Sequence, residues 1–226
     1  DCYLNTPALR SVSDRVSSVV CGAPVENYDK PSVAVRSKNQ SSMARAIAAV
    51  ASGDADCCVS AGNTGALMAF GMQLLKTVPG VSRPAICGSI PTLKGNALVL
   101  DLGANVDCSA AQLHQFAHLG SRNAQRINGV ENPRVKLLNV GCEVNKGPQF
   151  IQDTAQLLSR DEGLNYCGYI EADQMFVGDA DVIVCDGMSG NIALKASEGA
   201  AALIGDVHRA DIQRNWLSRL SAALTM

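Results

Sequence analysis

Short apolar runs recur along this chain, each closed by a polar, glycine-containing turn and followed by an Ala- or Leu-rich stretch. Residues 182–185 (V-I-V-C) form one such run without a polar position, the pattern of a strand buried on both faces. Asp186 and Gly187 break it, and the Ala/Leu/Lys-rich segment after Gly190 and Asn191 predicts a helix to about Gly205. The same unit is predicted at residues 56–60, followed by A-G-N-T-G at 61–65 and a helix over 66–76. Residues 83–90 and 96–102 read as two strands joined by a turn at 91–95, the second ending in D-L-G-A-N-V-D. Residues 135–140 predict a strand ending in G-C-E-V-N-K-G. A helix over 149–160 and a strand over 165–171 follow.

The remaining segments fit this rhythm less well. Residues 6–15 predict a short helix, 16–21 a strand, and the polar stretch 26–40, which carries Pro31, Arg36 and Lys38, a loop. Ser41 and Ser42 are N-cap candidates for an Ala-rich helix over 43–51 that Gly53 should close. Residues 109–128 show helical periodicity through Leu113, Phe116, Ala117, Leu119, Ala124 and Ile127, with His114 and His118 one turn apart. That spacing suits a metal, but Gln115 follows His114 and the acidic partner of a zinc-protease motif is missing. The pair is therefore read as ordinary helix-surface histidines, with no metal and no cofactor expected. The basic segment 209–226 places Trp216, Leu217, Leu220 and Leu224 on one helical face, with Arg209, Arg214 and Arg219 elsewhere. It is expected to project.

Strands alternating with helices imply an α/β protein with a mostly parallel sheet flanked by helices. Residues 1–205 are expected to form this domain and 206–226 a projecting amphipathic helical segment. Ligands of such sheets gather at the carboxyl ends of strands. The turns at Gly62, Gly103, Gly141 and Gly187 are all expected there.

Composition narrows the function classes. With 226 residues, 47% hydrophobic and only 4% aromatic, the chain can build a substantial core from small side chains. A formal net charge of −2 argues against a nucleic-acid partner. No apolar run has the length of a membrane span, and no signal peptide is visible. The nine cysteines include no C-x-x-C pair, which favours reduced core cysteines in a cytoplasmic protein. Cys142 stands apart in a glycine-rich turn.

The predicted turns offer Asn63, Thr64, Asp101, Asn105, Asp107, Glu143, Lys146, Asp186, Ser189, Asn191 and Lys195. These types suit a phosphate-sized anion and the polarisation of a carbonyl by amide, ammonium and backbone N–H donors. The sequence has no G-x-x-x-x-G-K-[ST], no G-x-G-x-x-G and no G-x-S-x-G. A site rich in donors and poor in nucleophiles points to direct attack of one bound substrate on another.

The segments S-A-G-N-T-G-A-L-M-A (from Ser60), R-P-A-I (from Arg83), D-L-G-A-N-V-D (from Asp101), L-L-N-V-G-x-E-x-x-K-G (from Leu137) and D-G-M-S-G-N-I-A-L-K-x-S-E-G (from Asp186) resemble the bacterial PlsX-type phosphate acyltransferases. P-S-V-A-V-R-S-K-N-Q-S-S-M, ending at Met43, is similar to them too, and the resemblance runs in order from about Arg15 to Gly205. It implies a three-layer α/β/α fold of the isocitrate dehydrogenase and phosphotransacetylase type, and a homodimer. The implied activity is transfer of a fatty acyl group from acyl-acyl-carrier-protein to orthophosphate for phospholipid synthesis.

Residue by residue, the resemblance implies Lys146 and Asn191 as catalytic, the first bringing phosphate in and the second donating to the oxyanion. Gly62, Asn63, Thr64 and Gly65 are implied as a phosphate cradle. Asp101, Asn105, Glu143, Asp186, Gly187 and Gly190 are implied around the substrates, Asp101 and Asn105 chiefly shaping the pocket. Met188 and Ser189 stand where Phe and Thr are usual. The family pattern begins with a strand and a D-A-M-G-G-D segment and continues past the basic tail; this chain is expected to lack both, and part of the site with them. The alternatives are a short-chain phosphate acetyltransferase using acetyl coenzyme A and a non-catalytic relative that binds the carrier protein. The tail fits shallow membrane contact, docking of an acidic carrier protein, or dimer packing.

Overall fold

The run at residues 182–184 becomes the central strand of a five-stranded sheet in the computed structural model, which describes residues 15–214 and the side chains of residues 15–210. The predicted helix over 6–15, but for Arg15, and the Trp216 face of the tail lie outside the described residues. The chain divides between Val78 and Pro79 into two compact units.

The N-terminal unit is helical: α1 (Pro31–Ser37), α2 (Ser42–Ser52) and α3 (Thr64–Leu74). Residues 26–40, expected as a loop, contain α1, because Pro31 stands in its first turn, where a missing N–H costs nothing. Ser41 caps α2, its hydroxyl accepting from the Ala44 N–H at 3.3 Å, and Gly53 ends it in the left-handed conformation at φ 83°. Ala34, Met43, Ala44, Ile47, Ala66 and Phe70 form the core of this unit.

The strands expected at 16–21 and 56–60 do not form. Val20 is 95% exposed and Val59 93%. An apolar run becomes a strand only when a neighbouring strand takes up its backbone hydrogen bonds, and these have none among the described residues.

The second unit contains β1 (Cys87–Thr92), β2 (Gly95–Leu100), α4 (Ala110–Ile127), β3 (Arg134–Leu138), α5 (Gln149–Ser159), β4 (Asn165–Ile170), β5 (Val182–Val184) and α6 (Gly187–Arg214). The sheet order is β1-β2-β5-β3-β4, with β2, β5, β3 and β4 parallel and β1 antiparallel to β2. The first strand starts at Cys87 rather than Arg83. The turn tightens to Leu93 and Lys94, and Pro91 stays within β1 opposite Asn96, which an edge strand tolerates.

Side chains alternate across the sheet. Leu98 and Leu100 of β2 and Val182 and Val184 of β5 join α4 (Leu113, Phe116, Ala117, Ala124) and α5 (Ile151, Leu158) on one face. Ala97, Val99, Ile183 and Cys185 face the other way, onto Met175, Ala180 and Ala193 of α6. This gives three layers, helix, sheet and helix. α4 starts in a capping box between Ser109 and Gln112. α6 runs unbroken past Gly205 to Arg214 rather than ending near Gly205.

Candidate active site

Three of the four predicted turns stand at the carboxyl ends of adjacent parallel strands: Gly103 after β2, Gly187 after β5 and Gly141 after β3. The fourth, Gly62, follows no strand; it precedes α3 in the N-terminal unit.

The β2 turn is built around Asp101, which is fully buried. Its Oδ1 accepts from the N–H groups of Ile86 (2.9 Å) and Ala104 (3.1 Å); its Oδ2 accepts from the Asn105 N–H (2.7 Å) and Nδ2 (2.9 Å). Asn105, 4% exposed, also donates to the Pro84 carbonyl at 2.9 Å. With four donors on one carboxylate, Asp101 folds the loop and has little left to offer a ligand.

The β5 turn is bolted to it. Asp101 donates its N–H to the Cys185 carbonyl at 3.0 Å, and Gly187 donates to the Asn105 carbonyl at 2.8 Å. Asp186 caps α6: its Oδ1 accepts from the Ser189 N–H at 2.9 Å and its Oδ2 from the Ser189 hydroxyl at 2.6 Å. At Gly190 a Cβ would overlap the Asp101 carbonyl oxygen and the Cys185 sulfur, so the first turn of α6 approaches β2 as only glycine allows. Gly103, at φ 120°, lies under the Asn191 side chain and leaves it exposed. The structure thus brings Asp101, Asn105, Asp186, Gly187, Gly190 and Asn191 together.

The β3 turn carries Glu143 and Lys146, both exposed and both packed around Gly141. Asn139, which the sequence reading passed over, holds this turn closed: its Nδ2 donates to the carbonyls of Gly141 (3.0 Å) and Lys146 (3.1 Å). A lone Asn before a Gly-rich turn is its only sequence signal. The Lys146 ammonium makes no ion pair among the described residues.

Between these turns lies an open cleft of about 680 Å³. Asp107, Asn139, Asp186 and Ser189 contribute polar atoms, while Leu138, Phe150, Ile151, Met188, Ile192 and Ala193 make its wall mostly apolar. Its thiol, Cys108, is pushed up to about 11 by burial, and stays protonated at neutral pH. Cys185, beneath the turn, is raised further for the same reason. Neither is poised as a nucleophile. Cys142 is exposed beside Glu171, its sulfur 3.8 Å from Oε1.

In the N-terminal unit, Asn63 caps α3, its Oδ1 accepting from the Ala66 N–H at 3.0 Å. Its Nδ2 donates to the carbonyls of Glu26, Asn27 and Asp29 at 3.0–3.2 Å. The amide is used up in folding; Thr64 and Gly65 place backbone N–H groups in the open first turn of α3.

The three-layer α/β/α unit with its mostly parallel sheet has the fold of the phosphotransacetylases. The phosphotransacetylase EutD of Staphylococcus aureus superposes with a TM-score of 0.54 at 19% identity, covering 68% of this chain and 54% of its own. A phosphotransacetylase from Streptococcus pyogenes gives 0.53 at 20% identity, covering 69% and 54%. The chain belongs to the fatty acid synthesis protein family, whose sequence pattern matches residues 6–226. It is 49% identical over 214 residues to a phosphate acyltransferase of Halorhodospira halophila, covering 95% of this chain and 62% of that one. It is 54% identical over 198 residues to a phosphate acyltransferase of Pseudomonas syringae, covering 88% and 58%. The chain thus spans about six-tenths of the length of these relatives.

Proposed function

We propose that the protein transfers a fatty acyl group from acyl-acyl-carrier-protein to orthophosphate. The observation that carries this reading is an apolar-walled cleft lined by the β3 and β5 turns, which also carry two exposed donors outside its lining, Lys146 and Asn191, in a chain about half identical to phosphate acyltransferases. A phosphate oxygen attacks the thioester carbonyl carbon, the C–S bond breaks, and the phosphate proton passes to the carrier thiolate. The products are acyl phosphate and carrier thiol. Lys146 offsets the charge of the incoming phosphate, and Asn191 donates to the oxyanion of the tetrahedral intermediate. Within the N-terminal unit by itself, Thr64 and Gly65 present the N–H groups of a helix start to an anion, and Gly62 and Asn63 hold that turn in shape. Asp101, Asn105 and Asp186 act through the turns they brace; Glu143 shares the Lys146 turn. The apolar wall accepts the acyl chain.

The test is incubation with long-chain acyl-carrier protein and radiolabelled phosphate: labelled acyl phosphate is expected, and none would count against the reading. The likeness to phosphotransacetylases favours, as second reading, a short-chain transfer from acetyl coenzyme A, which the assay distinguishes when acetyl coenzyme A replaces the acyl-carrier protein. Carrier-protein binding without turnover would favour a non-catalytic relative.

On the family resemblance alone, we further propose that the protein works in the cytoplasm as a homodimer. No helix among the described residues is long and apolar enough to cross a membrane. On α6, Leu203, Ile204 and Val207 are each more than half exposed, which suits dimer packing or a lipid surface. Vesicle binding unchanged by removal of residues 216–224 would dismiss the lipid.

A further inference from the structure

His114 and His118 lie one turn apart on α4 with ring centroids 4.9 Å apart, and both point at a residue far off in sequence. Asp161, just after the Arg160 C-cap of α5, places its Oδ2 2.6 Å from the Nε2 of His114 and 2.8 Å from that of His118. Its other oxygen is engaged, Oδ1 accepting from the Gly163 N–H at 2.9 Å. The backbone around it is tied down as well: Asp161 donates to the Leu158 carbonyl at 3.3 Å and accepts from the Leu164 N–H at 3.2 Å.

We propose that His114, His118 and Asp161 bind one divalent transition-metal ion of the zinc class, with an outward position left for water. Three observations carry the assignment. The three ligand atoms lie within 4.8 Å of one another. Zinc bonds of about 2.0–2.2 Å in a tetrahedron separate ligands by roughly 3.3–3.5 Å, so the two Asp161–His distances would open by about 0.5–0.9 Å and the widest separation would close by about 1.3–1.5 Å, within reach of side-chain rotation. The ligand types agree, two imidazoles and a carboxylate, a set that suits zinc, cobalt or nickel better than magnesium. The supports are rigid: α4 is anchored by buried Leu113, Phe116 and Ala117, and the Gly163 N–H orients the carboxylate as outer-shell partners orient metal ligands.

The side chains are 28%, 43% and 20% exposed for His114, His118 and Asp161, enough for an ion to enter and for water to complete its shell. None of the three lines the cleft. The ion would therefore clamp α4 to the segment between α5 and β4, and act on stability rather than on the transfer.

The experiment is titration of the chelator-treated full chain with Co²⁺, followed by visible absorption, and with Zn²⁺, followed by thermal unfolding. One Co²⁺ per chain with ligand-field bands and a higher Tm with Zn²⁺ are expected. His118→Gln should weaken Co²⁺ binding by at least about tenfold. Cys142→Ser should leave it unchanged, which separates this site from thiol binding. Asp161→Asn should weaken Co²⁺ binding likewise; if that variant fails to fold, His114→Gln on α4 serves in its place. No stoichiometric binding, or binding indifferent to both histidine variants, would overturn the site and leave a plain His–Asp hydrogen-bonded cluster.

Discussion

Lys146 and Asn191 are exposed, so at the level of single residues they contribute little to folding and their loss should be felt in turnover alone. Lys146→Ala and Asn191→Ala should each abolish acyl phosphate formation. For Asn191 the drop in kcat should be about 10²–10³ or more, as for a lost oxyanion donor. Unfolding free energies should stay within about 0.5 kcal/mol of wild type, the usual range for surface changes; near-normal turnover would remove these residues from the site. Gly190 is the reverse case. Because a Cβ there meets the Asp101 carbonyl, which is held in the β2 turn, Gly190→Ala should destabilise by about 1–3 kcal/mol, as overpacked positions do. Urea unfolding measures it, and a wild-type midpoint would show the turn to be looser than described.

At the scale of elements, the turns are held by side chains that never face a substrate. Asn139 spans the Gly141–Lys146 turn with two hydrogen bonds, so Asn139→Ala should leave both carbonyls unpaired and loosen the loop that carries Lys146. We expect a loss of about 1–3 kcal/mol, with faster amide exchange confined to that turn. Uniform exchange across the sheet would refute the local role. Arg134, opening β3, binds Asp181 before β5 through its N–H, Nε and Nη2 at 2.8–2.9 Å. The guanidinium holds the Asp181 carboxyl below its ordinary value of 3.8. With the folded value depressed, the folded state binds fewer protons than the unfolded one, so this pair stabilises above the ordinary carboxylate range. Its contribution fades as pH falls below 3.8 and through the folded value. Asp181→Asn should therefore be less stable than wild type at pH 7, with the gap narrowing as pH falls below 3.8. A gap independent of pH would show that the ion pair is not its source.

At the scale of the molecule, the division between Val78 and Pro79 separates a small helical core from a sheet with an apolar cluster on each face. Residues 79–226 should therefore fold alone, with cooperative thermal unfolding and dispersed amide resonances. A molten fragment would show that the sheet depends on the first 78 residues.

The sequence by itself determined those features that depend on near neighbours. The run 182–185 is buried on both faces because it contains no polar position, and Ser41, Gly53 and Ser109 mark helix ends because capping is a matter of three or four residues. The motifs around Asp101, Leu137 and Asp186 were likewise legible, and they carry the family. Only the tertiary structure decided which apolar runs become strands, since residues 16–21 and 56–60 find no partner among the described residues while 182–184 finds two. It also decided which polar residues remain available. Asn63, Asp101, Asn105 and Asp186 look alike in sequence to Lys146 and Asn191, yet their donors and acceptors are consumed by backbone groups up to 37 residues away. Asp161 stands 43 residues beyond His118, a distance that no spacing rule spans and that the packing of α5 on α4 closes to 2.8 Å.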